Sequence, residues 1–169
     1  MDKTLFLKPQ TSNPKPALGF GPALLMKGRV LGLDVGDVRI GVAVSDPLGI
    51  IAQPHSVLKC SGLKNDIEAI ARLIAETEAV RVVVGLPLNQ EGKPGPQAEK
   101  VLSFIEQLRA AVKVEIVTQD ERFSTAAAQR MLIQANVSRK GRKQVIDKIA
   151  AHHILQTYLD RQRNKRTGD

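Results

Sequence analysis

The sequence predicts an α/β domain with a mixed sheet, in which three antiparallel strands come first and two parallel strands follow through connecting helices. Three β-rich runs, Arg29 to Val35, Arg39 to Ser45 and Pro54 to Lys59, succeed one another closely, and Gly36-Asp37 between the first two is a hairpin signal. After them, amphipathic helical stripes alternate with short, nearly continuous apolar runs, the pattern of parallel strands buried on both faces and joined by crossover helices. A length of 169 residues suits one domain with a sizeable core.

Along the chain, Met1 to Lys27 holds four of the nine prolines (Pro9, Pro14, Pro16, Pro22) and no periodic apolar pattern, so a poorly ordered extension outside the domain is expected. Met26 stands directly before the first strand, and an upstream start or a leader would account for the segment. Leu63 to Glu78 carries a helical stripe of Ile67, Ile70, Ala71 and Ile74, and Val80 to Val84 reads as a buried strand. A Gly- and Pro-rich loop, Gly85 to Gly95, leads to Pro96 in the first turn of a helix with the stripe Ala98, Val101, Leu102, Ile105 and Leu108. Val114 to Thr118 is strand-like, and Ser124 or Thr125 can cap a helix through Ile133. Val145 to Tyr158 makes the last helix, with Ile146, Ile149, Ala150 and Ile154 inward. The expected division is an extension over 1–27, the domain over 28–162 and a basic tail over 163–169.

Hydrophobic residues at 43% and charged residues at 25% exclude a disordered or fibrous chain. Lys and Arg number 25 against 17 Asp and Glu, and the resulting charge of +8 favours a polyanionic partner. Cys60 is the single cysteine, so neither an intramolecular disulfide nor a zinc site with two thiolates can form, and a reducing compartment fits. There is no uninterrupted apolar run of the ~20 residues that span a bilayer and no signal-peptide pattern. A cytoplasmic protein without a membrane partner is expected.

Three acids stand out chemically. Asp34 lies inside an otherwise apolar strand, where a carboxylate is costly unless a cation or hydrogen bonds compensate it. Gly36 and Gly41 nearby would admit a metal, a phosphate or a neighbouring backbone; alternatively Asp34 caps the turn and the glycines serve the hairpin. Asp120-Glu121-Arg122-Phe123-Ser124-Thr125 follows a strand's carboxyl end, where ligands sit in open α/β sheets, and supplies a metal ligand and a phosphate contact or else a solvated helix cap. Asp147 precedes Ala150 and Ala151 by about one turn, and small side chains there would let the helix approach the sheet. Brought together, these acids form the all-oxygen donor set that Mg²⁺ or Mn²⁺ prefers, and phosphodiester hydrolysis is the chemistry such a set serves.

Basic charge concentrates beside the third acid. Residues 139–169 hold nine Lys and Arg against three Asp, a net +6 of the chain's +8. The Ser138 to Lys143 loop, with Arg139, Lys140, Arg142 and Lys143, is the strongest expected phosphate contact, while Arg161 to Arg166 reads equally well as a solvated helix end. The five aromatics, Phe6, Phe20, Phe104, Phe123 and Tyr158, give little material for base stacking, so recognition of backbone or shape is expected. His55, His152 and His153 lack zinc-site spacing, and no nucleophile elbow, Walker loop or dinucleotide fingerprint is present.

From about Lys27 to Gln162 the chain resembles the YqgF/RuvX family of pre-16S rRNA nucleases, also described as Holliday-junction resolvase-like. Four ordered motifs carry the likeness: Asp34-x-Gly36-x-x-Arg39-Ile40-Gly41-x-Ala43 with Ser45-Asp46; Gly85-Leu86-Pro87-Leu88 followed by Gly95-Pro96-Gln97-Ala98; Asp120-Glu121-Arg122-x-Ser124-Thr125; and Asp147-x-x-Ala150-Ala151. The resemblance implies an RNase H-like fold with five strands in the order 3-2-1-4-5 and helices on both faces. It also implies Asp34, Glu121 and Asp147 as metal-binding catalytic acids, with Asp120 a fourth metal candidate. Nucleic-acid contacts are expected from Arg39, Arg122, Arg139, Lys140, Arg142 and Lys143.

The function expected from these readings is a divalent-metal-dependent endonuclease in 5′-end maturation of pre-16S rRNA, part of ribosome biogenesis. One alternative keeps the site and changes the substrate to four-way DNA junctions, which a homodimer rather than a monomer would cut in pairs. Another is a non-catalytic RNA-binding assembly factor, disfavoured because acids repel phosphate unless a metal intervenes. The actin-like and sugar-kinase fold also opens on Asp-x-Gly in a hairpin, but it closes two such domains around ATP and this chain has length for one.

Overall fold

The computed structural model describes residues 28–122 and 139–168. Among the described residues eight elements follow in order: β1 (Arg29–Val35), β2 (Arg39–Ser45), β3 (Ala52–Lys59), α1 (Leu63–Thr77), β4 (Ala79–Leu86), α2 (Pro96–Ala111), β5 (Glu115–Asp120) and α3 (Arg139–Thr167). The strands form one sheet in the order β3-β2-β1-β4-β5. β1, β2 and β3 pair antiparallel, while β4 and β5 add in parallel because helices return the chain to the same end. The expected mixed sheet and strand order are both present.

Alternation along the central strands divides the interior into two layers. Leu31 and Leu33 of β1, Ile40 and Val42 of β2, and Val82 and Val84 of β4 face α1 and α2, meeting Ile67, Ile70, Val101, Ile105 and Leu108. Val30, Ala43 and Val83 face the other way and meet Ala151, Ile154, Leu155 and Tyr158 of α3. The second layer contains more small side chains. Its helix is tied at one side by Gln156, which accepts from the Ala52 N–H at 2.8 Å and donates to the Ile50 carbonyl at 3.1 Å. On the other side the Tyr158 hydroxyl accepts from Arg81 Nη1 at 2.7 Å.

Several boundaries and core positions differ from the sequence expectation. β3 begins at Ala52 rather than Pro54, since Gln53 and Ala52 still pair with Val44 and Ser45. β5 extends to Asp120, whose partner is Leu86, so Asp120 is a strand residue and Glu121 the first one beyond. On α2, Phe104 is buried and Leu102 is 37% exposed; Leu102 points roughly 100° away from the centre of the stripe formed by Val101, Ile105 and Leu108. On α1 the same geometry buries Leu73 in place of Ala71. The loop expected at Ser138 to Lys143 is instead helical from Arg139, and α3 continues past residue 162 through Thr167. The expected helix from Ser124 to Ile133 and the expected extension over 1–27 lie outside the described residues.

Candidate active site at the carboxyl end of the central strands

Asp34 stands near the end of β1 on the α3 face, directly across from Gly41 of β2. A Cβ on Gly41 would fall 2.1 Å from the Asp147 carbonyl oxygen, and one on Gly32 would fall 2.7 Å from Leu155 Cβ. Both glycines sit in strand interiors where a close backbone approach requires them. Ala151 is fully buried in the same contact. The helix therefore lies directly on the sheet and brings Asp147 alongside Asp34. Gly36 has the other role weighed for it: its N–H bonds the Arg39 carbonyl at 2.9 Å and closes the hairpin.

Glu121 reaches this place on the same face of the sheet, from just beyond the end of β5. Its N–H donates to the Leu86 carbonyl at 3.1 Å, and its carboxylate occupies the space above Gly85, where a Cβ would come within 1.6 Å of Oε1. Leu33 pairs with Val84, so Gly85 lies one residue further on, level with Asp34. Gly85 lies in β4 rather than in the loop expected from its Gly- and Pro-rich surroundings, and it is the seat of the Glu121 side chain.

The ionisation of the acids reflects an environment they share. Burial, assisted by the nearby Asp147 carboxylate, pushes the Asp34 carboxyl up to about 6. Burial and the charges of Asp34 and Asp120 push Glu121 up to about 8. Like charges held together out of water have this effect, and a bound cation would reverse it. Among the described residues no group of three acid, imidazole or thiol side chains is already set to hold a metal ion. A cation would have to draw the carboxylates inward. The donor chemistry suits Mg²⁺ or Mn²⁺, since all three groups offer carboxylate oxygens.

The remaining expected residues are distributed around this centre. Asp120 faces Arg122, which holds its carboxyl below the usual range despite some desolvation. Arg39 Nη1 lies 3.6 Å from Asp147 Oδ2, and both line a cleft of about 310 Å³ with Gly36, Asp37 and Val38. Arg139, Lys140, Arg142 and Lys143 belong to the first turns of α3, with side chains outside the described residues.

Residues 28–161 match the family described as "RuvX: Holliday junction resolvase". The chain belongs to the RuvX family. Relatives include a protein of Desulforamulus reducens, 52% identical over 132 residues that make up 78% of this chain and 96% of the relative. Another, from Thermoanaerobacter pseudethanolicus, is 51% identical over 138 residues, 81% of this chain and 99% of that one. Both bear the name "Putative pre-16S rRNA nuclease". Among solved structures, this RuvX-family chain resembles Fowlpox virus resolvase in complex with Holliday junction DNA, with a TM-score of 0.51 and 14% identity over 79% of this chain and 98% of the other. It also resembles T. thermophilus RuvC in complex with a Holliday junction substrate, with a TM-score of 0.50 and 14% identity over 80% and 96% of the two chains. At that identity the likeness concerns the fold, which is RNase H-like.

Proposed function

We propose that this RuvX-family protein is a divalent-metal-dependent endonuclease that hydrolyses phosphodiester bonds of structured RNA, in 5′-end maturation of the 16S rRNA precursor. The supporting observation is the convergence of Asp34, Glu121 and Asp147 from three separate elements, with Asp34 and Glu121 held well above their ordinary range by burial and by the charges of neighbouring carboxylates. A fold gains nothing in stability from such an arrangement, so a function has to account for it. The names of the relatives favour precursor rRNA as substrate.

In this reading Asp34, Glu121 and Asp147 hold Mg²⁺ or Mn²⁺, and Asp120 contributes negative potential from beside Glu121. A cation held there would supply an activated water and neutralise charge developing on the phosphate. The residues of the chain orient that chemistry. Asp34 is held by the sheet, Glu121 by its seat over Gly85, and Asp147 by the contact of α3 with Gly41. Arg39, beside Asp147, meets the phosphate backbone close to the scissile bond. Arg139, Lys140, Arg142 and Lys143 on the first turns of α3 extend that contact along the strand, with little dependence on base identity. The protein acts in the cytoplasm as a monomer or homodimer; among the described residues no helix is long and apolar enough to cross a membrane.

The family description favours a second substrate, the four-way DNA junction. Incubating purified protein with 5′-extended 16S precursor and with a synthetic junction, each with Mg²⁺, Mn²⁺ or EDTA, separates the two. Cleavage of the precursor that requires metal is expected. Cleavage of the junction alone would transfer the reading to resolution, and failure to cut either substrate would contradict a nuclease.

A further inference from the structure

We infer that Arg122 is a positioning residue: its guanidinium, forked onto Asp120 and packed against Gly92, braces the loop between Leu86 and Gly95 at the end of β5 and so fixes the Glu121 carboxylate in place. The inference rests on the nuclease reading for the purpose of that carboxylate, but its geometry stands apart from it. Asp120 Oδ1 accepts the Arg122 N–H at 2.9 Å, and Asp120 Oδ2 accepts Nε and the Nη2 group, both at 2.7 Å. This fork brackets Glu121, the residue between the two partners. The outer edge of the guanidinium lies against Gly92, where a Cβ would come within 3.1 Å of Nη1. Gly92 has a φ of 79°, in the region that favours glycine.

The loop that Arg122 touches is itself closed. Asn89 donates its N–H to the Lys93 carbonyl at 3.0 Å and accepts the Lys93 N–H on Oδ1 at 2.8 Å, while the Gly92 N–H donates to the Asn89 carbonyl at 2.9 Å. A bridge between Leu88 and Pro94 completes it. Its base is Leu86, whose carbonyl accepts the Glu121 N–H. Glu121 is therefore tied to this unit by the hydrogen bond of its backbone to Leu86, and the Arg122 guanidinium packs against the same unit at Gly92. The sequence suggests Arg122 as a phosphate contact. In the fold its charge is met by Asp120, and a phosphate would have to compete with a carboxylate for the same donors.

Arg122→Gln and Arg122→Lys test this, because lysine keeps the charge but cannot form the fork. Three measurements apply: amide hydrogen exchange at Glu121 and Gly92, RNA binding in EDTA as a function of salt, and kcat and KM for metal-dependent cleavage. Both variants are expected to lose protection at the two amides and at least tenfold in kcat, with KM, RNA affinity and salt slope unchanged. If glutamine weakens RNA binding and lowers the slope of log K against log salt by about 0.7 to 0.9 while lysine restores both, Arg122 is a phosphate contact and the inference is wrong. Unchanged protection at Glu121 and Gly92 also overturns it, whether or not the wild-type protein cleaves RNA. A wild-type protein that cuts nothing contradicts the nuclease reading, and the exchange measurement still judges the clamp.

Discussion

A carboxyl group buried beside two others is comfortable only when a proton or a cation removes its charge. Asp34, at about 6 against an ordinary 3.8, and Glu121, at about 8 against 4.5, bind protons more tightly folded than unfolded. Between pH 4 and 8 the metal-free folded state therefore holds more protons than the unfolded chain, and its stability falls as pH rises through that window. Asp34→Asn removes one source of this loss. Its melting temperature without metal should exceed that of wild type at pH 8, by roughly 4–8 °C for a stabilisation on the order of 2 kcal/mol. The difference should vanish near pH 4, and a difference independent of pH would mean that Asp34 is not ionised in the folded protein. The same variant should cleave RNA at background rate while binding it within a few-fold of wild type, since every cation proposed to meet phosphate remains in place. A variant that cuts at the wild-type rate would remove Asp34 from the site.

At the level of elements, the glycines under α3 and Glu121 decide whether the acids meet, and two alanine substitutions separate their effects. A Cβ at Gly41 meets the Asp147 backbone carbonyl, which cannot move without lifting the helix, so Gly41→Ala should destabilise by about 1–3 kcal/mol and abolish cleavage together. At Gly85 the Cβ meets the ends of the Glu121 and Ile154 side chains, which can rotate away. Gly85→Ala should then leave the melting temperature within a few degrees while reducing cleavage at least tenfold; melting curves and initial rates on both variants check this. Such contacts explain how far a sequence reading can reach. Hairpin chemistry at Gly36-Asp37 and the apolar stripes of α1 and α2 are local, and they are legible. Gly41 is recognisable as a place of close approach because glycine weakens a strand unless something occupies the space above it. Gly85 is not, since it looks like the first residue of a loop, and its partner lies 36 positions away in the chain. Leu102 passes for a core residue when its hydropathy is considered without the angle at which it leaves the helix.

For the whole molecule, the charge distribution is the property to test. Six of the eight net positive charges fall within residues 139–169, most of which form the helix that carries Asp147. Replacing Arg139, Lys140, Arg142 and Lys143 by Ala should weaken RNA binding regardless of sequence and lower the salt slope by about 0.7 to 0.9 for each phosphate no longer neutralised. An unchanged slope would mean that these side chains do not touch the backbone. The mixed sheet with its later strands parallel is readable from the alternation of patterns, and the strand order and flanking helices only from the family motifs, whereas the length of α3 is not. Its first turns are so rich in Lys, Arg and Gly that no apolar stripe marks them as helical. Convergence of the acids is an inference from four motifs, and the fold supplies the reason they converge: a strand, the end of a second strand and a helix, joined through positions without side chains.

The central claim, that Asp34, Glu121 and Asp147 jointly hold a divalent cation, is tested most directly by titrating the metal-free protein with Mn²⁺ at pH 7 in buffers of different ionisation enthalpy. With Glu121 at about 8 and Asp34 at about 6, binding must displace a proton held mainly on Glu121. Saturable binding with release of about one proton is predicted, together with loss of that binding in Asp34→Asn and loss of the proton release in Glu121→Gln. Binding that releases no proton, or that survives unchanged in both variants, would contradict the account.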